Sequence, residues 1–131
     1  DALDTSGVQA YFPIAEEPTY DDEKLRAGWK TRMQELREFA ERQEKWVVFT
    51  ELGYNRSHAA AVEPWKSKMD GPEAARTQEA CLSIALEAVQ NEPRVVGAFL
   101  WKWFPGDRMP RDFAMQQPGA RAVIERTWGS R

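Results

Sequence analysis

The feature that most restricts how this chain folds is an alternation: three apolar, β-prone runs, each followed by a stretch of helical periodicity. GVQAYFPI (7–14), WVVFTELGY (46–54) and VVGAFLWKWF (95–104) are rich in β-branched and aromatic residues and bounded by Pro, Gly or polar clusters, so each reads as a strand. From about Glu23 to Gln43, Trp29, Met33, Leu36 and Ala40 recur at helical spacing, with Asp21 or Asp22 placed to cap the first turn. A second helix is expected from Pro72 to about Asn91, with Leu82, Ala85, Leu86 and Val89 inward and Pro93 ending it. Pro118 opens a third, in which Ala120, Val123, Ile124 and Trp128 face the core. Strands separated by whole helices cannot pair as hairpins, so the sheet is expected to be parallel. No low-complexity stretch or linker interrupts the pattern, and residues 1–131 read as a single domain.

Parallel βα order leaves two architectures, a doubly wound open sheet and a (β/α)₈ barrel. Neither TELGYN nor WKWFPG has the glycine spacing of a phosphate-binding fingerprint, which favours the barrel. A complete barrel takes roughly 250 residues. The 131 residues here hold three consecutive units of one, an α/β partial TIM barrel. A formal net charge of −3 gives no basic footprint, which argues against nucleic acid, and no apolar run approaches the roughly 20 residues of a membrane span. Cys81 is the one cysteine, so no disulfide forms within the chain, and within CLSIALEAV it reads as a small apolar helix residue. The start, DALDTSGV, has neither the charged nor the apolar region of a signal peptide and reads as internal to a fold, so it assigns no compartment.

In a barrel, chemistry is built at the C-terminal strand ends. Strict alternation puts Val47, Phe49 and Glu51 on one face of the second strand, and Gly7, Gln9 and Tyr11 on one face of the first. In the third strand it groups Val95, Gly97, Phe99, Trp101 and Trp103. Tyr11, Glu51 and Trp101 are thereby expected to point into the barrel mouth. A glutamate ending an apolar strand costs free energy unless something uses or pairs it, so Glu51 reads either as catalytic or as a solvated or arginine-paired end residue. Of six tryptophans, Trp65, Trp101 and Trp103 lie on or near strand ends, as core fillers or as stacking platforms for sugar C–H faces. Lys102 is expected on the strand face opposite Trp101, snorkelling toward the covering helices or a loop. His58 is the only histidine and builds neither a metal site nor a triad; it reads as a loop or subsite residue. Arg56, Arg108 and Arg111 read as solvated, the alternative being hydrogen bonds to sugar hydroxyls. No cluster has metal-ligand spacing, and no metal or cofactor is expected.

The words AYFPI, VVFTELGYNRSHAAAVEPW, QEACLSIALEAV and GAFLWKWFPG, in that order and spacing, resemble the C-terminal part of glycoside hydrolase family 113. These are the β-mannanase-like members of clan A, and the resemblance runs from the sixth strand to the eighth helix. It implies a retaining glycosidase acting on a β-linked hexose polysaccharide or oligosaccharide. It implies Glu51 as nucleophile, Tyr11 as the phenol that hydrogen-bonds it, and Trp101 as the floor of the subsite for the reacting sugar. Trp103 is the alternate floor, and Trp65 a further stacking residue. Retention also needs an acid/base carboxyl about 5–5.5 Å from the nucleophile. The family carries that residue on its fourth strand, so this stretch holds half of the pair. Asp70, Asp107 and Asp112 lie in loops on the same side, and nothing around them resembles an acid/base motif. The competing reading is a non-catalytic carbohydrate-binding or structural barrel fragment. Either way, three strands leave two sheet edges, which the rest of a barrel or another chain is expected to cover.

Overall fold

The computed structural model describes residues 4–66, 71–106 and 112–129. The elements are β1 (Thr5–Gln9), α1 (Asp22–Arg42), β2 (Trp46–Leu52), α2 (Ala74–Asn91), β3 (Val95–Leu100) and α3 (Pro118–Trp128). β2 lies between β1 and β3 and pairs with both in parallel, so the sequence and spatial orders coincide. This is the expected succession of βα units.

The strands are shorter than their apolar runs, for a local reason in each case. After Gln9 the Ala10 N–H still donates to the Glu51 carbonyl at 2.7 Å. Ile14 then donates to the Ala61 carbonyl at 2.8 Å, so residues 10–15 leave the sheet for the β2–α2 loop. At the end of β3 the Trp101 N–H donates to the Leu52 carbonyl at 2.8 Å. Lys102 instead pairs with the chain that follows it: its N–H donates to the Phe113 carbonyl at 3.0 Å, and its carbonyl accepts from Met115 at 3.1 Å.

The helices cover one face of the sheet. α1 begins where the Asp21 carboxylate accepts from the Lys24 N–H at 2.9 Å, with Asp22 and Glu23 in the positive first turn and Arg42 in the last. Its stripe Leu25, Trp29, Met33, Leu36 and Ala40 is buried. Trp29 stacks tilted on Phe49 at 6.2 Å between ring centres, and Phe12 meets both rings edge-on at 5.7 and 6.1 Å. α2 starts at Ala74 rather than Pro72, because Glu73 adopts a left-handed φ of 60° that separates the proline from the helix. At its other end Glu92, with a side chain 2% exposed, accepts from Arg37 at 2.6 Å and from the Arg94 N–H at 3.1 Å. Partners on both sides compensate that buried carboxylate. In α3, Ala120 and Val123 are buried, whereas Ile124 and Trp128 only partly pack against the core.

The other sheet face is open. Val47, Phe49 and Leu52 are fully buried under the helices, whereas Trp46 and Thr50 are exposed. On β3, Val96 and Phe99 are 60% and 68% exposed. Among the described residues β1 and β3 each pair with β2 alone, so both are edges.

Two measurements check this packing. Gly53 is buried and its backbone rests on Trp101, so that an added Cβ would collide with the Trp101 carbonyl oxygen. Gly53→Ala is expected to lower stability by about 1–3 kcal/mol in chemical denaturation, because backbone has to move to admit the methyl group. Cys81 is fully buried, and burial pushes its thiol up to about 12 from an ordinary value of 9.0. The neutral thiol is therefore the folded form, and stability is expected to fall as pH rises from 9 toward about 12. Iodoacetamide at pH 9 should alkylate the unfolded chain quickly and the folded chain slowly.

Candidate active site

The register of β2 decides where its glutamate points. Val8 pairs with Phe49 and Gln9 with Glu51, so Thr50 is an extra residue opposite β1. The register slips over the same stretch opposite β3, where Phe49 pairs with Ala98 and Leu52 with Leu100, two residues of β2 against one. A bulge of this kind inverts the alternation beyond it. Val47 and Phe49 lie under the helices, and so does Leu52, three residues after Phe49 rather than two. Glu51 thereby turns to the open face that it would have missed under strict alternation. The expected grouping of Val47, Phe49 and Glu51 on one face is thus corrected. β3 carries a similar shift: Val47 pairs with Val95 but Val48 with Gly97, leaving Val96 extra. Val95 is buried, while Phe99 and Trp101 are exposed, so Val95 does not share their face.

On the open face Glu51 meets two side chains from β1 and its extension. The Tyr11 hydroxyl donates to Oε2 at 2.8 Å, and the Gln9 Nε2 donates to Oε1 at 3.0 Å. Each carboxylate oxygen therefore has one neutral donor. The Tyr11 phenol is pushed well above its ordinary value, first by burial, then by its hydrogen bond to Glu51 and by the carboxylate charge. It stays an O–H donor across the ordinary pH range. The Tyr11 ring stands edge-on to Phe113, 6.3 Å between centres, and Phe113 is itself buried. Reading strands alone overlooks Gln9 and Phe113. The parity that selects Tyr11 also marks Gln9, whereas nothing local in the sequence marks Phe113.

Trp101 is joined to the same corner through its backbone, by its N–H bond to Leu52 and its contact with Gly53. Trp101 is 38% exposed. The peptide that follows it, to Lys102, is cis. Of the two expected courses, helices or loop, Lys102 takes the loop: its Nζ lies 5.0 Å from the Trp101 ring centre and 4.6 Å from that of Phe104. Trp103 and Trp65 are 59% and 50% exposed, and no hydrogen bond or ring contact brings either to Glu51. The loop carrying Trp65 is gathered by buried Asn55, whose N–H bonds the Pro64 carbonyl at 3.3 Å and whose Nδ2 bonds the carbonyls of Glu63 and Lys66. Gln78, buried on α2, donates to the carbonyls of Tyr54 and Asp112 at 2.8 and 2.7 Å and so ties the loops after β2 and β3 together.

The Asp112 carboxylate accepts from the Phe113 N–H at 2.8 Å, an assignment local to its own turn. Asp70, Asp107, Arg108 and Arg111 lie outside the described residues. Arg56 is half-buried, and His58 is exposed with Gly71 against its ring. No three His, Cys, Asp or Glu side chains among the described residues converge as metal ligands. Among those residues no helix is long and apolar enough to cross a membrane.

Comparison with solved structures finds the same fold in several mannanases. A complex of a GH113 β-1,4-mannanase superposes with a TM-score of 0.76 at 20% identity, over 99% of this chain and 40% of that one. A second GH113 β-1,4-mannanase structure gives 0.74 at 21% identity, over 100% of this chain and 40% of the other. The GH113 β-mannanase of Alicyclobacillus acidocaldarius, in complex with ManMIm, gives 0.70 at 25% identity, over 98% and 39%. The chain thus spans about 40% of the length of these structures, and its three βα units are part of a TIM barrel. A search of the curated proteins finds no match. Residues 1–118 match the family described as Glycoside Hydrolase Family 113, and with a match over nearly its whole length the chain belongs to that family.

Proposed function

We propose that this chain supplies the nucleophile half of a retaining β-mannanase-type active site, as the last three units of one catalytic barrel. One observation carries the reading: the Glu51 carboxylate sits at the end of the central strand, on the open face, with Tyr11 on one oxygen and Gln9 on the other. Family membership and the mannanase neighbours support glycoside cleavage as the chemistry.

In this reading a Glu51 oxygen attacks the anomeric carbon, the bond to the leaving oxygen breaks, and a covalent glycosyl-enzyme forms for water to hydrolyse. Tyr11 and Gln9 hold the carboxylate without transferring a proton to it. Trp101, anchored to the backbone beside Glu51, is the platform under the reacting sugar. Trp103 and Trp65, exposed and further along their loops, stack on neighbouring sugars of a β-linked hexose chain. The general acid comes from the part of the barrel that these 131 residues do not include. That remainder, or another chain, also covers the edges of β1 and β3.

Two variants test this in the full barrel that contains the chain, assayed on an activated aryl β-mannoside whose leaving group needs little protonation. Glu51→Gln is expected to lower turnover by more than about a thousandfold, ~4 kcal/mol of transition-state stabilisation, while leaving the fold intact. Turnover at the unsubstituted rate would place the nucleophile elsewhere, and no turnover by the unsubstituted barrel would favour the non-catalytic, carbohydrate-binding reading. Tyr11→Phe removes one hydrogen bond to a charged group, and a loss of about ten- to a hundredfold in kcat is expected.

A further inference from the structure

Of the two donors on Glu51, Tyr11 follows from the family resemblance and Gln9 does not. From the geometry we infer that Gln9 is a positioning residue for the Glu51 carboxylate, fixing Oε1 as Tyr11 fixes Oε2. The inference rests on the nucleophile reading above.

The last torsion of a glutamate is broad, so a carboxylate held at one oxygen still rotates about it. A second donor on the other oxygen removes that freedom and defines the carboxylate plane. Gln9 and Tyr11 are two residues apart in an extended segment, so they rise on the same side. The backbone beneath them is pinned as well: Gln9 is the register partner of Glu51, and the Ala10 N–H donates to the Glu51 carbonyl at 2.7 Å. An amide suits the place because it does not titrate and can offer an N–H to the ionised carboxylate at any pH. Among the described residues Tyr11 is the one titratable group bonded to Glu51. On the β3 side, the Lys102 ammonium is engaged over the Trp101 and Phe104 rings.

The test follows the Glu51 carboxyl by ¹³C NMR through a pH titration of the full barrel and two variants. Gln9→Glu sets a second carboxyl within hydrogen-bond reach, and two carboxylates that close cannot both ionise. The Glu51 midpoint is expected to move up by more than about one pH unit. Gln9→Leu removes the donor without adding charge, and a smaller upward move is expected. The Trp29 indole N–H, bonded to the Tyr54 hydroxyl at 3.1 Å, reports that each variant is folded. If Gln9→Glu does not fold, Gln9→Leu alone decides. A folded variant set with an unmoved midpoint overturns the inference, since a merely structural glutamine would change stability without changing that titration. Covalent trapping by an activated 2-fluoro mannoside in the full barrel separates the two readings. Shifted midpoints without a label on Glu51 would retain the Gln9–Glu51 coupling and overturn the nucleophile; a labelled Glu51 with unmoved midpoints would overturn Gln9 alone.

Discussion

One extra residue in the central strand is the constraint on which the site depends. The helix layer needs an apolar row from β2, and Val47, Phe49 and Leu52 supply it. Their spacing of two and then three residues is compatible with a strand only if one residue bulges, and Thr50 does so. Without that bulge Leu52 would lose its place in the core and Glu51 would be driven among the rings of Phe12, Trp29 and Phe49. An ionised carboxylate there would lose its hydration with no donor to replace it. With the bulge, core packing and the exposure of the carboxylate are satisfied by the same backbone irregularity.

The loops at that end of the sheet are held to one another more than to the strands that launch them. Ala61 accepts from Ile14 and Ala15, Gln78 bridges the chain at Tyr54 and Asp112, and Lys102 pairs with Phe113 and Met115. Phe113 then meets the ring of Tyr11. A phenol that has to hold a carboxylate oxygen in one direction is thus supported by residues from three successive βα units. Site geometry becomes a property of the assembled corner, and a change in any of these loops reaches Glu51 through Tyr11.

Much of the fold was legible because helices and parallel strands advertise themselves by period. A cap at Asp21 or Asp22, the stripe from Trp29 to Ala40 and the buried row of α2 follow from spacing alone, and the structure chose Asp21. Strand ends were less legible, since whether an apolar run stays in the sheet depends on which partner its N–H groups find. Residues 10–15 found the β2–α2 loop, and Lys102 found residues 113 and 115. Parity brought Tyr11 and Glu51 to the barrel mouth, and the family resemblance paired them, but the same parity assigned Val47 and Phe49 to the wrong side. Its endpoint agrees with the structure because the bulge inverted β2 just before Glu51.

The sequence by itself determined the number, order and parallel sense of the strands, the covering faces of the helices and the family to which the chain belongs. Those properties are written in local periodicity and in word order along the chain. The tertiary structure decided which way Glu51 faces, that Gln9 joins Tyr11 in holding it, and that Lys102 lies over Trp101. Each of these depends on register between strands and on contacts between loops far apart in sequence. A one-residue shift in register, which no single segment encodes, reverses the outcome.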